Sequence, residues 1–280
     1  MRELGYFAPT EIGEAVNLLA EHGEQTAILA GGTDLVAALN YYEIKPGALL
    51  YIGGLGLDYI KEEDGKLVIG AGTTAAQLIK SDLVAAKLGV LADAAKTHGS
   101  PAVRTTATVG GNLGTASPAG DLIPSLMIMD AEVVLVSAEG ERAVPIKDFF
   151  TGPGETVRTA GELIVEVRVP LLPGKAAFKK IGMRKAQQCS IASTAVRLEM
   201  DGAVCKDARI VLGSMAPVSL RCTEAEAMIT GKALDEALIA KCAEKAVSES
   251  TPIDDMRATA WYRTKAATAL VARALAQTAA

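Results

Sequence analysis

Residues 108–124, TVGGNLGTASPAGDLIP, constrain the fold of this 280-residue chain more than any other stretch. Within these seventeen positions lie a glycine pair, three hydroxyl residues, an asparagine, two prolines and one aspartate. A core strand has little use for so many small polar residues. Glycine lacks a Cβ, so its backbone can approach a ligand closely and leave N–H groups free to donate. The stretch therefore predicts a loop that binds a phosphorylated ligand.

A shorter stretch of the same character, LAGGTD at residues 29–34, lies about eighty residues upstream. A short strand is predicted before it, at residues 26–30, and a helix is predicted to begin at Asp34. A strand, a glycine turn and a helix start together present backbone N–H groups to an anion. The Rossmann fingerprint G-x-G-x-x-G and the P-loop pattern are both absent there. Our hypothesis is that the two stretches together bind one dinucleotide by different machinery.

Side chains of the downstream stretch supply further ligand-binding groups. Thr108 and the backbone amides of residues 109–112 are predicted to wrap one phosphate, with the asparagine side chain pinning the loop. Thr115 and Ser117 add hydroxyl donors, and Asp121 can accept from a ribose or from loop amides. The alternative for both stretches is structural: a tight turn upstream and an elaborate strand-to-helix connection downstream.

Composition excludes several classes of protein. A formal charge of −5 and an aromatic content of 4% argue against nucleic-acid binding. The mean hydropathy is +0.26, but Pro124, Asp130 and Glu132 interrupt the most apolar windows, so no membrane-spanning helix is predicted. Because the N-terminus also lacks a signal-peptide pattern, we expect a cytoplasmic protein.

The cysteines do not form a metal-binding pattern. They lie sixteen, seventeen and twenty residues apart, and no C-x₂-C pair occurs. The chain has two histidines, which are too few for a histidine-based metal cage. We therefore predict reduced cysteines and no metal or iron–sulfur site within this chain. The four cysteines are Cys189, Cys205, Cys222 and Cys242.

A proline- and glycine-rich segment at residues 170–175, PLLPGK, predicts a domain boundary. Before it, Asp64-Gly65 predicts a hairpin turn, and the Thr74–Gln77 pattern predicts a capping box. After it, three strand-like runs predict an antiparallel three-stranded sheet, followed by helices. The predicted class is α+β, with a first domain over residues 1–172, divided at about residue 55, and a second domain over residues 173–280.

The segments LAGGTDL and ATVGGNLGTASPAGDLIP, in this order and spacing, closely resemble the paired FAD-binding loops of the molybdenum hydroxylase flavoprotein family. That family includes the FAD domain of xanthine dehydrogenase and the medium subunits of carbon monoxide dehydrogenase and nicotinate dehydrogenase. The resemblance covers almost the whole chain, since YFAPTEIGEAVNLL is similar to the family's start. It implies a two-part FAD-binding domain of the PCMH type over residues 1–172 and a C-terminal flavoprotein domain over residues 173–280.

The resemblance also implies roles for individual residues. Residues 28–35 would wrap the FAD pyrophosphate, and residues 108–112 would complete its cradle. Ile164 would pack on the isoalloxazine and Lys179 would lie near it, although a core isoleucine and a solvated lysine explain the pair equally well. No catalytic and no metal-binding residue is implied. The implied cofactor-binding residues are Ile28, Leu29, Ala30, Gly31, Gly32, Thr33, Asp34, Leu35, Thr108, Val109, Gly110, Gly111, Asn112, Thr115, Ser117, Asp121, Ile164 and Lys179.

Two positions depart from the family pattern. Cys189 stands where the family often has the aspartate of R-x₄-D, and Thr105 stands where asparagine is common. The four-cysteine iron–sulfur segment that some relatives insert in this subunit is absent.

The function implied by the resemblance is electron transfer by an FAD-binding subunit. A small [2Fe–2S] subunit would supply the electrons, a molybdopterin-binding large subunit would hydroxylate the substrate, and the assembly would be a dimer of heterotrimers. The substrate and the acceptor, whether NAD, a quinone, ferredoxin or oxygen, stay open. Two alternatives remain: a self-contained flavin oxidoreductase, or a flavin-less scaffold protein derived from the family.

Overall fold

A computed structural model describes residues 4–184 and 188–280. Three units follow one another along the chain, and the architecture is mixed α+β, as predicted. In the part of the chain that is described, no helix is both long enough and apolar enough to cross a bilayer.

The first unit is a parallel three-stranded sheet with one long helix. The strand order is β1-β3-β2, and the apolar face of α1 packs Val16 and Leu19 into a core with Leu50 of β3. The predicted strand before the glycine pair is β2, and the helix after the pair begins at Leu35. The elements are β1 Gly5–Phe7, α1 Ile12–His22, β2 Thr26–Leu29, α2 Leu35–Asn40 and β3 Ala48–Tyr51.

The second unit is an antiparallel five-stranded sheet covered by short helices, with strand order β4-β5-β10-β6-β7. The hairpin predicted at Asp64-Gly65 is confirmed, and both residues have positive φ. The elements are β4 Ile60–Glu63, β5 Lys66–Gly70, α3 Ala75–Lys80, α4 Asp82–Lys87, α5 Gly89–Thr97, α6 Pro101–Arg104, α7 Val109–Thr115, α8 Leu122–Met127, β6 Glu132–Ser137, β7 Gly140–Pro145, β8 Phe150–Gly152, β9 Glu155–Thr156 and β10 Leu163–Pro170.

The third unit is an antiparallel sheet of four strands, in the order β11-β12-β13-β14, and not three as predicted. The additional strand, β14, pairs Leu220 and Arg221 with the end of β13. It was missed because two residues are too few to show the alternation of a strand. The elements are β11 Lys175–Ile181, β12 Ala192–Asp201, β13 Val204–Gly213, β14 Leu220–Arg221, α9 Thr223–Ile229, α10 Glu236–Ser248 and α11 Ala260–Ala279.

The units share their hydrophobic cores. Phe178, Ala195 and Val211 of the third unit lie in the same buried cluster as the helices and strands of the second. Leu163 and Val165 of β10 lie in the buried cluster of the first unit. Apolar packing therefore fixes each unit against its neighbour.

Candidate functional site

The two glycine-containing stretches lie against each other. A Cβ placed on Gly31 would fall 1.7 Å from the carbonyl oxygen of Thr106, so only glycine allows this approach. At the other end of the contact, the Thr115 hydroxyl lies 3.4 Å from the Asp34 carboxylate. The proximity required by the dinucleotide hypothesis is thus present.

The upstream stretch presents a run of unpaired backbone amides. Gly32 has φ +71°, which turns the chain between β2 and α2. Internal hydrogen bonds of this region begin at Val36. The Val36 amide donates to the Gly32 carbonyl, and the Ala38 amide donates to the Asp34 carbonyl. Among the described residues, no acceptor pairs with the amide nitrogens of residues 31–35. Consecutive unpaired amides form a concavity that binds anionic oxygens.

The downstream stretch is a helix rather than an open loop. Thr108 is the N-cap of α7, and its hydroxyl accepts a hydrogen bond from the amide of Gly111 at 3.0 Å. The Val109 amide donates to Thr73 (2.9 Å), the Gly110 amide to Ala71 (2.8 Å) and the Asn112 amide to Thr108 (2.9 Å). All four amides of residues 109–112 therefore have acceptors within the protein. These amides are therefore not free as predicted, whereas contact of residues 108–112 with the cofactor stays a prediction.

The side chain of Asn112 does not pin the loop as predicted. Its Oδ1 is fully buried and has no hydrogen-bond partner. A buried acceptor without a donor costs about 1–3 kcal/mol. A ligand that supplies an N–H or O–H group at this position would remove that cost. The orphaned acceptor thus fits a bound molecule better than an empty site.

Ile164 lies beside the downstream helix. A Cβ on Gly114 of α7 would be 3.6 Å from Ile164 Cδ1, and Ile164 is almost entirely buried. The strand β10 shifts its register against β6 between Ile164 and Glu166, and β10 contacts α7. The predicted site residue Ile164 is therefore brought to the paired stretches. Its contact with a cofactor stays a prediction.

Asp121 is buried and already has three partners. Its Oδ1 accepts from the Ser190 hydroxyl at 2.7 Å, and its Oδ2 accepts from Lys180 Nζ at 2.7 Å. His98 Nδ1 lies 3.2 Å from the same Oδ2. The Ser117 hydroxyl accepts from the Ala119 amide, within the same connection between α7 and α8.

Sequence reasoning selected Lys179 and missed Lys180, His98 and Ser190. Adjacent residues of a strand point to opposite faces, so the two lysines of β11 have different surroundings. The Lys180 side chain is 1% exposed and pairs with Asp121. A Lys-Lys pair gives no signal of which lysine faces inward, and nothing in the spacing of His98 or Ser190 marks them.

In the described part of the chain, no group of three or more His, Cys, Asp or Glu side chains is placed to hold a metal ion. Cys205, Cys222 and Cys242 are buried between the sheet and the helices of the third unit, and Cys189 is exposed. Burial raises the pKa of the Cys242 thiol to about 12. These three buried thiols therefore stay protonated and unreactive at neutral pH.

The fold and the amide-lined contact define an FAD-binding domain of the molybdopterin dehydrogenases, followed by a flavoprotein C-terminal domain. Residues 2–172 match the family model described as the FAD binding domain in molybdopterin dehydrogenase. Residues 176–278 match the CO dehydrogenase flavoprotein C-terminal domain. The chain belongs to the family of FAD-binding medium subunits of molybdenum hydroxylases, and its cofactor is FAD. The resemblance found in the sequence is thereby confirmed.

The relatives below match along almost their whole length. The chain is 32% identical to the glyceraldehyde dehydrogenase medium chain of Sulfolobus acidocaldarius, over 99% of both chains. It is 34% identical to the carbon monoxide dehydrogenase medium chain of Hydrogenophaga pseudoflava, over 96% of this chain and 95% of the relative. A solved structure of carbon monoxide dehydrogenase from that organism superposes with a TM-score of 0.95 at 34% identity, covering 99% of this chain and 97% of the other.

Proposed function

We propose that this chain transfers electrons, through bound FAD, from an iron–sulfur partner subunit to an external acceptor. The observation that carries the proposal is the run of unpaired amides at residues 31–35, held against the downstream stretch by the Gly31–Thr106 contact. Bound FAD supplies the redox chemistry, and the protein binds and orients it.

Each stretch has its own part in the proposed site. The amides of residues 31–35 bind the FAD pyrophosphate, and the Asn112 Oδ1 accepts a hydrogen bond from an N–H or O–H group of the cofactor. Ile164 packs beneath α7 as an apolar support for the ring system. These roles draw on the unpaired amides, the orphaned acceptor and the burial described above. The contacts predicted for Ile28, Leu29, Ala30 and Lys179 complete the proposal.

The proposed partners are a molybdopterin-binding large subunit and a small [2Fe–2S] subunit, in a dimer of heterotrimers. Support comes from the relatives that are named as medium chains, and from a relative named as subunit alpha of a 6-hydroxypseudooxynicotine dehydrogenase complex. Substrate hydroxylation belongs to the large subunit in this scheme. The isolated chain should bind FAD and should hydroxylate no substrate.

Purification of the protein from its native source tests this function. We expect two further chains to copurify, with flavin, iron and molybdenum in the preparation. Recovery of a lone chain without flavin would contradict the proposal. Hydroxylation by the purified single chain would contradict the assignment of that step to a partner.

One observation favours the second candidate, a self-contained flavin oxidoreductase. His98, which caps the end of α5, lies 3.2 Å from Asp121 on the connection that follows the downstream helix, where a general base could act. The FAD-loaded single chain would then turn over a substrate of its own, and His98→Asn would abolish that turnover. No turnover by the single chain, with or without His98, favours the electron-transfer role.

A further inference from the structure

A turn that leads from α10 into α11 exposes several large apolar side chains close together. Single exposed apolar residues are common on protein surfaces, whereas a group of them is typical of an interaction surface. We call this group the apolar turn. Its members, with the exposed fraction of each residue, are Ile253 (64%), Met256 (93%), Trp261 (69%) and Tyr262 (40%).

The tip of the apolar turn is held in one conformation by an aspartate. The Asp255 carboxylate accepts hydrogen bonds from the Arg257 amide at 2.8 Å and from the Ala258 amide at 3.2 Å. The Asp255 amide donates to the Ala258 carbonyl at 3.1 Å, which closes the turn around Met256. A surface that is already ordered loses less conformational entropy when a partner binds. The exposed side chains of the turn are therefore presented ready for binding.

A buried arginine fixes the apolar turn to the third sheet. Arg263 is 2% exposed, and its Nη2 lies 2.8 Å from Asp255 Oδ1. Its Nη1 donates to the carbonyls of Ile191 and Ser214. Residues of an α-helix are about 100° apart, so Trp261, two positions before Arg263, points about 200° away from it. The inward direction of the arginine thus turns the tryptophan towards water.

The support of the apolar turn lies at the edge of the candidate cofactor site. The Ser214 amide donates to the Pro118 carbonyl at 2.8 Å, on the connection between α7 and α8. This connection carries Ser117 and Asp121, two of the residues predicted to bind FAD. A protein that covers the apolar turn therefore docks beside the proposed cofactor site.

The charged groups around the apolar turn have partners within the chain. The Asp254 carboxylate accepts from the Ala260 amide, and the Asp255 carboxylate pairs with Arg263. The Arg257 guanidinium lies 3.5 Å from Asp255 Oδ2. The turn thus offers aromatic and aliphatic groups, as the core of a protein interface does, rather than a charged patch. The complementary surface of a partner is an apolar cleft.

We propose that the apolar turn is the docking surface for the iron–sulfur partner subunit, which receives Met256 and Trp261 in an apolar cleft. The subunit that delivers electrons to FAD binds beside the cofactor, and the apolar turn is an ordered, apolar surface next to the proposed site. The inference rests on the proposed electron-transfer function, and it adds the surface by which the electron donor is recognised.

Binding of the purified iron–sulfur subunit to the full-length, FAD-loaded chain tests the inference. We expect Trp261→Ser and Met256→Ser each to raise the dissociation constant by about tenfold or more, because both side chains are interface anchors. Val204→Ser is the matched control: Val204 is also exposed, but it lies opposite Asp201 at the other end of the third sheet. Its dissociation constant should stay within about twofold of the wild-type value. The melting temperature and FAD affinity of the isolated chain should be unchanged in all three variants, since the replaced side chains are exposed.

A second measurement needs no substitution. Trp261 is the only tryptophan of the sequence, so a chain grown with fluorotryptophan gives a single fluorine NMR signal. We expect this signal to shift when the unlabelled iron–sulfur subunit is added. An unchanged signal in a complex that has formed would overturn the proposal.

The outcomes separate the docking surface from the proposed function. Equal binding of the iron–sulfur subunit by the wild type, Trp261→Ser and Met256→Ser would overturn the docking surface and leave the electron-transfer role intact. If the two variants lost only the molybdopterin-binding subunit, the apolar turn would belong to that partner, and the proposal would be wrong. A wild-type chain that binds no iron–sulfur subunit would contradict the proposed function, and the inference with it.

Discussion

The backbone of Gly31 lies so close to the backbone of Thr106 that a single added methyl group does not fit between them. A Cβ at this glycine would stand 1.7 Å from the Thr106 carbonyl oxygen and 2.5 Å from its carbon. Both atoms belong to backbone, so neither can swing aside as a flexible side chain would. The contact sets the spacing between the two stretches that are proposed to bind FAD.

The first prediction concerns Gly31→Ala. We expect the free energy of unfolding of the apoprotein to fall by about 1–3 kcal/mol, because the backbone must move to admit the methyl group. FAD affinity should fall more than tenfold, since the amides of residues 31–35 move with it. Gly13→Ala is the control: no atom lies within 4 Å of its Cβ position in α1, and it should stabilise the protein by about 0.5–1 kcal/mol. Equal behaviour of the two variants would contradict the role of the contact.

Asn112→Ala should maintain or raise the stability of the apoprotein and should weaken FAD binding. The substitution removes a buried acceptor that has no partner, so the apoprotein should be as stable as the wild type or more stable. FAD binding should weaken by about 1–2 kcal/mol, because the cofactor loses its acceptor. Apoprotein melting and FAD titration together measure both effects. Unchanged FAD affinity with a destabilised apoprotein would show that the asparagine has only a structural role.

Glu162 should give a pH-dependent contribution to stability. Hydrogen bonds from the Arg142 guanidinium, and then from the Thr159 amide, hold the pKa of Glu162 at about 2, below its ordinary value of 4.5. A carboxylate whose pKa is lower in the folded protein than in the unfolded protein stabilises the fold at pH values above its unfolded pKa. This contribution is lost as the pH falls towards the folded pKa.

We therefore expect Glu162→Gln to lower the free energy of unfolding by about 1–2 kcal/mol near pH 7, the modest size reflecting the exposure of Arg142. The difference from the wild type should shrink as the pH falls below about 4.5. Urea unfolding at a series of pH values measures it. A difference that stays constant down to about pH 3 would contradict the assignment.

Thiol labelling should find one reactive cysteine in the native protein. Cys189 is exposed, whereas Cys205, Cys222 and Cys242 are buried, and burial raises the pKa of all three thiols. We expect Cys189 to react rapidly with a maleimide and the others to react only on unfolding. Cys189→Ser should abolish the fast reaction. A second fast thiol in that variant would indicate opening of the third unit.

Local chemistry made part of the fold predictable. The capping box at Thr74 and Gln77 is confirmed, with the Gln77 amide donating to the Thr74 hydroxyl and the Thr74 amide to the Gln77 side chain. The turn at Asp64-Gly65 is confirmed for the same reason, because both motifs depend on residues a few positions apart. The glycine pair was predicted to approach a ligand, and the approach of Gly31 to the Thr106 backbone was not predicted.

Features that depend on distant partners were not predictable. The amides of Val109 and Gly110 are occupied because Thr73 and Ala71, nearly forty residues upstream, supply their acceptors. The inward direction of Lys180 depends on the register between β11 and β12, in which Lys180 lies opposite Ser193. Such a register follows from the packing of whole sheets rather than from a local pattern.

The core shared by the second and third units has a consequence for how the chain folds. Phe178 and Val211 are buried in the cluster that also holds the helices of the second unit. If the chain ended at the proline-rich boundary, that apolar surface would be left facing water, at a cost of about 25 cal/mol for each Å² exposed. The architecture changes at the boundary, and because the core continues across it, we expect the whole chain to unfold cooperatively.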